Sequence, residues 1–494
     1  MNTFYVRILC VGYLLLATLL FLGNWFYLKY ALVFIIGHIL YFALYSTRNA
    51  ERLETVISKK SLVSLAVLAL VWTLLMGVGG VFLQTTDFIA HNTKFYELFL
   101  HKWPILIKER QSFSCYYYGY YLVPALLSKI FGDLSVVTII IYTWLGIWLG
   151  LIWIYLLLFR KLWLVVLLIM SGGIIFSFEL ASLALLHASI SYNPLLSLFI
   201  QSLYVPNQVV AALITTGLFL YYIKDYSISF YAITLSFFWG VFTAFLLILL
   251  FGIVLVIDYL RGRNKISLKS FLINYVLPSI LFLPTFLFLT SSNAMPVNEF
   301  YDFDSFSKMI PFLDMLVLAF VTIWLMPVQN ARPGQFLFTP ILVFTALVLL
   351  CILLTYKIGI YNDLYFRGSI PLYLILMVNI LQKLFIKFQN DKSLPLPTSP
   401  IKISLHPLRK YAVVLIWLAT ALLASVFQLS QSLRKNLVAD TYKSIPYKTF
   451  PNSYQALLKH YGQSGADQYV GNPKSFYFLY LAPIGKEIKL TRNR

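Results

Sequence analysis

The chain has 494 residues, of which 60% are hydrophobic and only 11% charged, where a soluble protein has roughly 25% charged residues. That balance, with a mean hydropathy of +0.81, excludes a water-soluble globular domain and predicts an all-α polytopic membrane protein. The formal charge of +20 would suit nucleic acid in a soluble chain; here the excess is read as loop charge that holds helices in a bilayer, and no nucleic-acid partner is expected.

In chain order, MNTFYVRILCVGYLLLATLLFLGNWF lacks a small-residue cleavage site and runs directly into a second apolar stretch. It reads as a retained span and not a signal peptide. Apolar runs predict about 13 transmembrane helices, near 8–28, 29–45, 61–83, 134–158, 162–178, 207–223, 228–241, 243–259, 270–290, 309–327, 335–356, 368–387 and 411–428. The region 228–259 is divided at Trp239-Gly240. These spans make a transmembrane domain, 1–428, with one large outer loop, 84–133. Within that loop YLVPALLSKIFG (121–132) is apolar but too short to cross, and Pro124 interrupts it; it predicts a helix lying on the membrane surface. KSLPLPTSP (392–400) is a linker, and 429–494 is a polar, basic, Tyr-rich extracytoplasmic region.

Short-loop Lys and Arg set the orientation. With the N-terminus inside, Arg48/Arg52/Lys59/Lys60, Arg160/Lys161, Arg261/Arg263/Lys265 and Lys383 to Lys410 are cytoplasmic. Most acids then lie outside, including Asp87, Glu97, Glu109, Asp133, Glu179, Glu299 and Asp363. Cys10, Cys115 and Cys351 form neither a disulfide framework nor a zinc spacing. The absence of any N-x-S/T sequon points to a bacterial source, hence a bacterial inner (plasma) membrane.

Polar residues beside so much apolar sequence cost free energy unless they are used. In GVFLQTTDFIAHNTKFYELFLHKWPI, Asp87, His91 and Lys94 are spaced i, i+4, i+7 and share one helical face, which Glu97 and His101 extend. A solvated face is the plain reading. The chemical reading is a carboxylate base, Asp87, with His91 beside it and Lys94 for a phosphate. Asp87 and His91 also make half of a metal site, so the cofactor is none or a divalent metal. CYYYGYY offers Tyr117 and Tyr118 either as interfacial anchors or as a sugar-binding surface. Glu179, His187 and Gln208 follow at the mouths of later spans. Asp363 and Arg367, i, i+4 in YNDLYFRGSIP, either pair with each other or place a guanidinium fork for a lipid phosphate. No Walker loop, G-x-S-x-G, H-E-x-x-H or dinucleotide fingerprint occurs, and no cytoplasmic domain is available for a nucleotide.

This pattern resembles the GT-C superfamily of polyprenyl-phosphate-sugar-dependent membrane glycosyltransferases. Asp87 matches the acidic residue that opens their first large outer loop, 116–132 matches the interfacial helices, and Glu179 matches a further outer acid. VPNQVVAAL (205–213) is similar to a Pro-Gln span start in bacterial members. The Asp87-Phe88 pair departs from the family's double-acid motif, and two spans precede the Asp87 span where one is usual. The resemblance implies an inverting glycosyltransferase of the cell envelope, taking sugar from a polyprenyl-phosphate carrier in the lipid bilayer to a glycan, lipid or protein acceptor. Catalysis would fall to Asp87, His91 and Glu179, and substrate binding to Lys94, Tyr117, Tyr118, His187, Gln208, Asp363 and Arg367. A transporter or flippase of lipid-linked sugars, a lipid-linked oligosaccharide polymerase or ligase, and a non-catalytic assembly protein are the alternatives.

Overall fold

The structure is a computed structural model that describes residues 1–48, 54–186, 194–225, 227–262, 266–292, 298–300, 309–325, 340–359, 362–392, 406–438 and 443–483. It is predominantly helical. The first helix, α1 (Thr3–Trp25), starts where the Asn2 side chain accepts the Phe4 N–H at 2.9 Å. Then come α2 (Leu28–Ser46) and α3 (Lys59–Leu75), the latter capped by Ser58. The 84–133 loop carries α4 (Phe88–Leu100) and α5 (Leu122–Phe131). Next are α6 (Val136–Leu157), α7 (Leu162–Met170), α8 (Ile174–Leu186), α9 (Leu198–Tyr204), α10 (Pro206–Tyr221), α11 (Ser227–Ser236) and α12 (Val241–Leu260). The chain continues with α13 (Leu268–Leu289), α14 (Pro311–Trp324), α15 (Pro340–Leu353), α16 (Asp363–Lys392), α17 (His406–Leu433) and α18 (Ser453–Asp467).

Among the described residues seven helices are long and apolar enough to cross a membrane: α1, α2, α6, α12, α13, α16 and α17. The bent pair α7–α8 makes an eighth if it is one span. Every one of the 13 expected stretches carries helix, but several helices are short. The 228–241 stretch is mostly covered by the 10-residue α11, which ends at Ser236, about 15 Å of helix against a hydrocarbon core of about 30 Å. The 61–83 stretch stops at Leu75, because Gly77, Gly79 and Gly80 take φ of 84°, 79° and 73° and turn the chain back. The 162–178 stretch bends by 57° at Ser171-Gly172-Gly173. There Asp314 on α14 accepts the Ile175 N–H at 3.1 Å, and a Cβ on Gly173 would sit 2.2 Å from that carboxyl.

The core runs along α6, α10 and α16. Every residue of α10 is buried, and α16 is almost wholly enclosed. α2 lies at the periphery, with Leu32, Val33, Ile36 and Leu40 exposed. Apolar side chains facing outward at that density belong against lipid.

Residues 443–483 fold onto the 84–133 loop. A hairpin of β1 (Leu106–Ile107) and β2 (Ser112–Phe113) continues into bridges pairing Ser114 with Val470 and Ser292 with Gly471. Arg110 and Asp467 form an ion pair across the same seam. Ile107, Tyr454, Leu457, Ala466 and Val470 make a small separate core beneath α18. The two surface segments therefore lie on one side of the helical body.

Candidate functional site

The site is built outward from α4. After the glycine turn, Gln84 seals the corner: its amide N–H donates to Gly77 O at 2.8 Å and its carbonyl accepts the Ile445 N–H at 3.0 Å. Asp87 then occupies the N-cap position of α4 but does not cap it. Its Oδ1 instead accepts the Tyr461 hydroxyl from α18 at 2.5 Å. One and two turns on, His91 and Lys94 point the same way, as their spacing predicts.

Asp87, His91, Lys94, Tyr116, Tyr117, Tyr204, Asp363, Arg367, Tyr461, Gln468 and Tyr469 line one cavity of about 80 Å³. Its walls come from α4, the Tyr116-Tyr117 turn, the α9–α10 junction, the first turn of α16, and α18 with the residues after it. Arg367 is held at two points: Nη2 lies 3.0 Å from Asp363 Oδ1, and Nη1 donates to the Tyr117 hydroxyl at 2.8 Å. Gln208, fully buried at the start of α10, donates to the same hydroxyl at 3.3 Å. The Tyr116 and Tyr117 rings stack with centroids 4.1 Å apart.

Lys94 Nζ sits 3.9 Å above the Tyr116 ring and donates to Ser453 Oγ at 3.2 Å. Burial pushes its pKa down to about 8, with Glu97 opposing the shift. His91 has both ring nitrogens engaged, Nε2 with the Tyr204 carbonyl at 2.8 Å and Nδ1 with the Tyr121 hydroxyl at 2.6 Å. A carbonyl can only accept, so Nε2 carries the proton and Nδ1 accepts from Tyr121. Burial also lowers the His91 pKa, which favours this neutral ring. His91 is thus a brace between α4, α5 and α9, with no nitrogen left for substrate.

Three expected positions fall elsewhere, and a fourth, His187, lies outside the described residues. Tyr118 is fully buried, packs on Trp25 and donates to Ser114 O, so Tyr116 takes the wall position beside Tyr117. Gly119 causes this: its N–H donates to Phe238 O at 2.8 Å, and a Cβ there would lie 2.5 Å from Trp239. The turn presses into the core and takes Tyr118 with it. Glu179 is buried on α8, where neighbouring Ser177 bonds to α17, and it does not line the cavity. His101 ends α4 exposed, beyond the buried face. Among the described residues no group of three or more His, Cys, Asp or Glu is gathered to hold a metal.

Sequence reasoning missed Tyr461, Gln468, Tyr469 and Ser453. Their only signal is the Tyr-rich composition of the C-terminal region. A larger groove of about 820 Å³ lies next door. The chemistry is assigned to the smaller cavity because it gathers two carboxyls and two cations at helix ends. No family model matches this chain, and neither a curated protein nor a solved structure matches it.

Proposed function

We propose that this chain is an integral membrane glycosyltransferase of the GT-C type, working on the outer face of the membrane with a polyprenyl-phosphate-linked sugar. One observation carries the reading: Asp87, Lys94 and Tyr117 of the 84–133 loop share one cavity with Arg367, some 250 residues on at the start of the membrane helix α16. In the reaction the acceptor oxygen bonds to the anomeric carbon and gives its proton to Asp87. The bond from that carbon to the phosphate oxygen breaks, and the charge left on the phosphate is met by Lys94 and Arg367. Attack opposite the leaving phosphate inverts the sugar. Tyr461 holds the position of the acceptor hydroxyl, donating to Asp87 as that hydroxyl would. The cavity of about 80 Å³ is smaller than the ~300–1,000 Å³ of small-molecule sites, so α18 moves aside when sugar enters.

The test is Asp87→Asn, which keeps the shape and removes the base. Transfer should fall by about 10²–10⁴ with folding intact. Wild-type transfer by this variant would end the assignment. The bent α7–α8 pair, with Asp314 at its break, favours a second reading as a transporter of lipid-linked sugars. Sugar transfer by the detergent-solubilised protein, where there are no compartments to transport between, excludes pure transport.

A further inference from the structure

The groove beside the Asp87 cavity has features the transfer step does not use. It is lined by the end of α4, the 101–109 segment and the 448–452 segment, and it encloses about 820 Å³. Glu97 lines it, yet Glu97 is only 1% exposed. One of its carboxyl oxygens accepts the Ser453 hydroxyl at 2.6 Å; the other, Oε1, has no hydrogen-bond partner. An orphaned buried acceptor is costly, and such groups call for an explanation by a ligand or a function. The rim is different in character. Lys102, Lys108 and Lys448 are exposed there, while Glu109 is occupied by Asn452 and Gln455. The rim therefore presents more positive than negative charge. Tyr96, Trp103 and Phe450 give the walls apolar surface.

An acceptor at the floor, ammonium groups at the rim and aromatic walls match one chemistry. Hydroxyls donate to the floor, acidic substituents meet the rim, and sugar C–H faces lie on the walls. We propose that this groove binds an acidic saccharide, a glycan bearing carboxylate or phosphate groups. Asp87 and Glu97 stand about 15 Å apart along α4, so the groove holds sugar units remote from the transfer point. Ser453 joins the two sites, bonded to Lys94 on one side and Glu97 on the other. As the extended arm of an acceptor, the groove rests on the glycosyltransferase reading; as a binding site, it does not.

The experiment measures binding to the full-length protein in nanodiscs of uncharged lipid. The probes are a galacturonic acid hexamer and uncharged maltohexaose. The acidic probe should bind at least tenfold more tightly, and rising salt should erode the difference. Lys108→Ala/Lys448→Ala, at exposed positions, should cost the acidic probe at least tenfold and leave the neutral one unchanged. Glu97→Gln turns the unpartnered acceptor into a donor and should weaken the neutral probe at least tenfold; unchanged binding of that probe would remove Glu97 from the floor of the site. Equal binding of the two probes, no binding of either, or an acidic affinity indifferent to the lysine pair would overturn the proposal. Binding as expected in a protein that transfers no sugar would leave the groove standing and remove the transfer reading. Transfer without acidic binding would do the reverse.

Discussion

Arg367→Lys separates a phosphate grip from a loop brace. In the structure Arg367 spends two different nitrogens, one on Asp363 and one on Tyr117, 3.0 and 2.8 Å away. A lysine has one nitrogen and no planar fork, so it can replace one of these contacts but not both in the same geometry. A hydrogen bond involving a charged group contributes about 1.5–3 kcal/mol. At 1.4 kcal/mol per factor of ten, its loss is about 10- to 150-fold. If the guanidinium holds the donor's phosphate, this loss appears in kcat/KM for the lipid-linked donor, with the acceptor curve changed little. Donor and acceptor are titrated separately, each at saturation of the other, and thermal unfolding in detergent is followed alongside. A brace that only fixes the start of α16 would affect both substrates alike and lower the unfolding temperature. Equal losses for donor and acceptor would remove Arg367 from the site and leave Lys94 as the phosphate contact.

Lys94 gives a pH signature. Its pKa of about 8 means that the folded chain binds this proton less tightly than the unfolded chain, whose ordinary value is 10.5. The stability penalty is therefore fully present below pH 8 and shrinks as pH rises from about 8 towards 10.5. Lys94→Met should flatten that rise in chemical denaturation, and donor affinity in the wild type should fall above pH 8 as the ammonium loses its proton. Lys94→Arg should keep the donor affinity at high pH. Gly119→Ala should destabilise by about 1–3 kcal/mol through overpacking against Trp239; a wild-type unfolding temperature would refute the close packing. For topology, a cysteine placed at His460 in a background free of Cys10, Cys115 and Cys351 should react with an impermeant reagent from outside. One placed at Pro395 should not, and the reverse pattern would overturn the orientation and the mechanism with it.

Hydrophobic patterning located the long apolar helices, because apolar runs in this chain have nowhere to go except a helix that satisfies its own backbone. The same local logic put Asp87, His91 and Lys94 on one face of α4, since the helical period fixes which side chains coincide. The cut at Trp239-Gly240 and the short helix after Tyr121 were legible for similar reasons. Hydropathy could not reveal that the 162–178 run breaks, because the bend depends on Asp314, 139 residues from the Ile175 N–H it holds. Nor could it reveal which tyrosine faces the cavity: Tyr117 or Tyr118 is decided by how closely Gly119 approaches Trp239. His91 read as a catalytic partner of Asp87 until Tyr204 and Tyr121 were brought to its two nitrogens. The largest omission was the C-terminal region. Tyr461 reaches Asp87 across 374 residues, and Ser453 reaches Glu97 across 356. Periodicity reports which residues of one element share a side. Which elements meet is settled by packing and by satisfying buried polar groups over the whole chain, and that is where this site takes its shape.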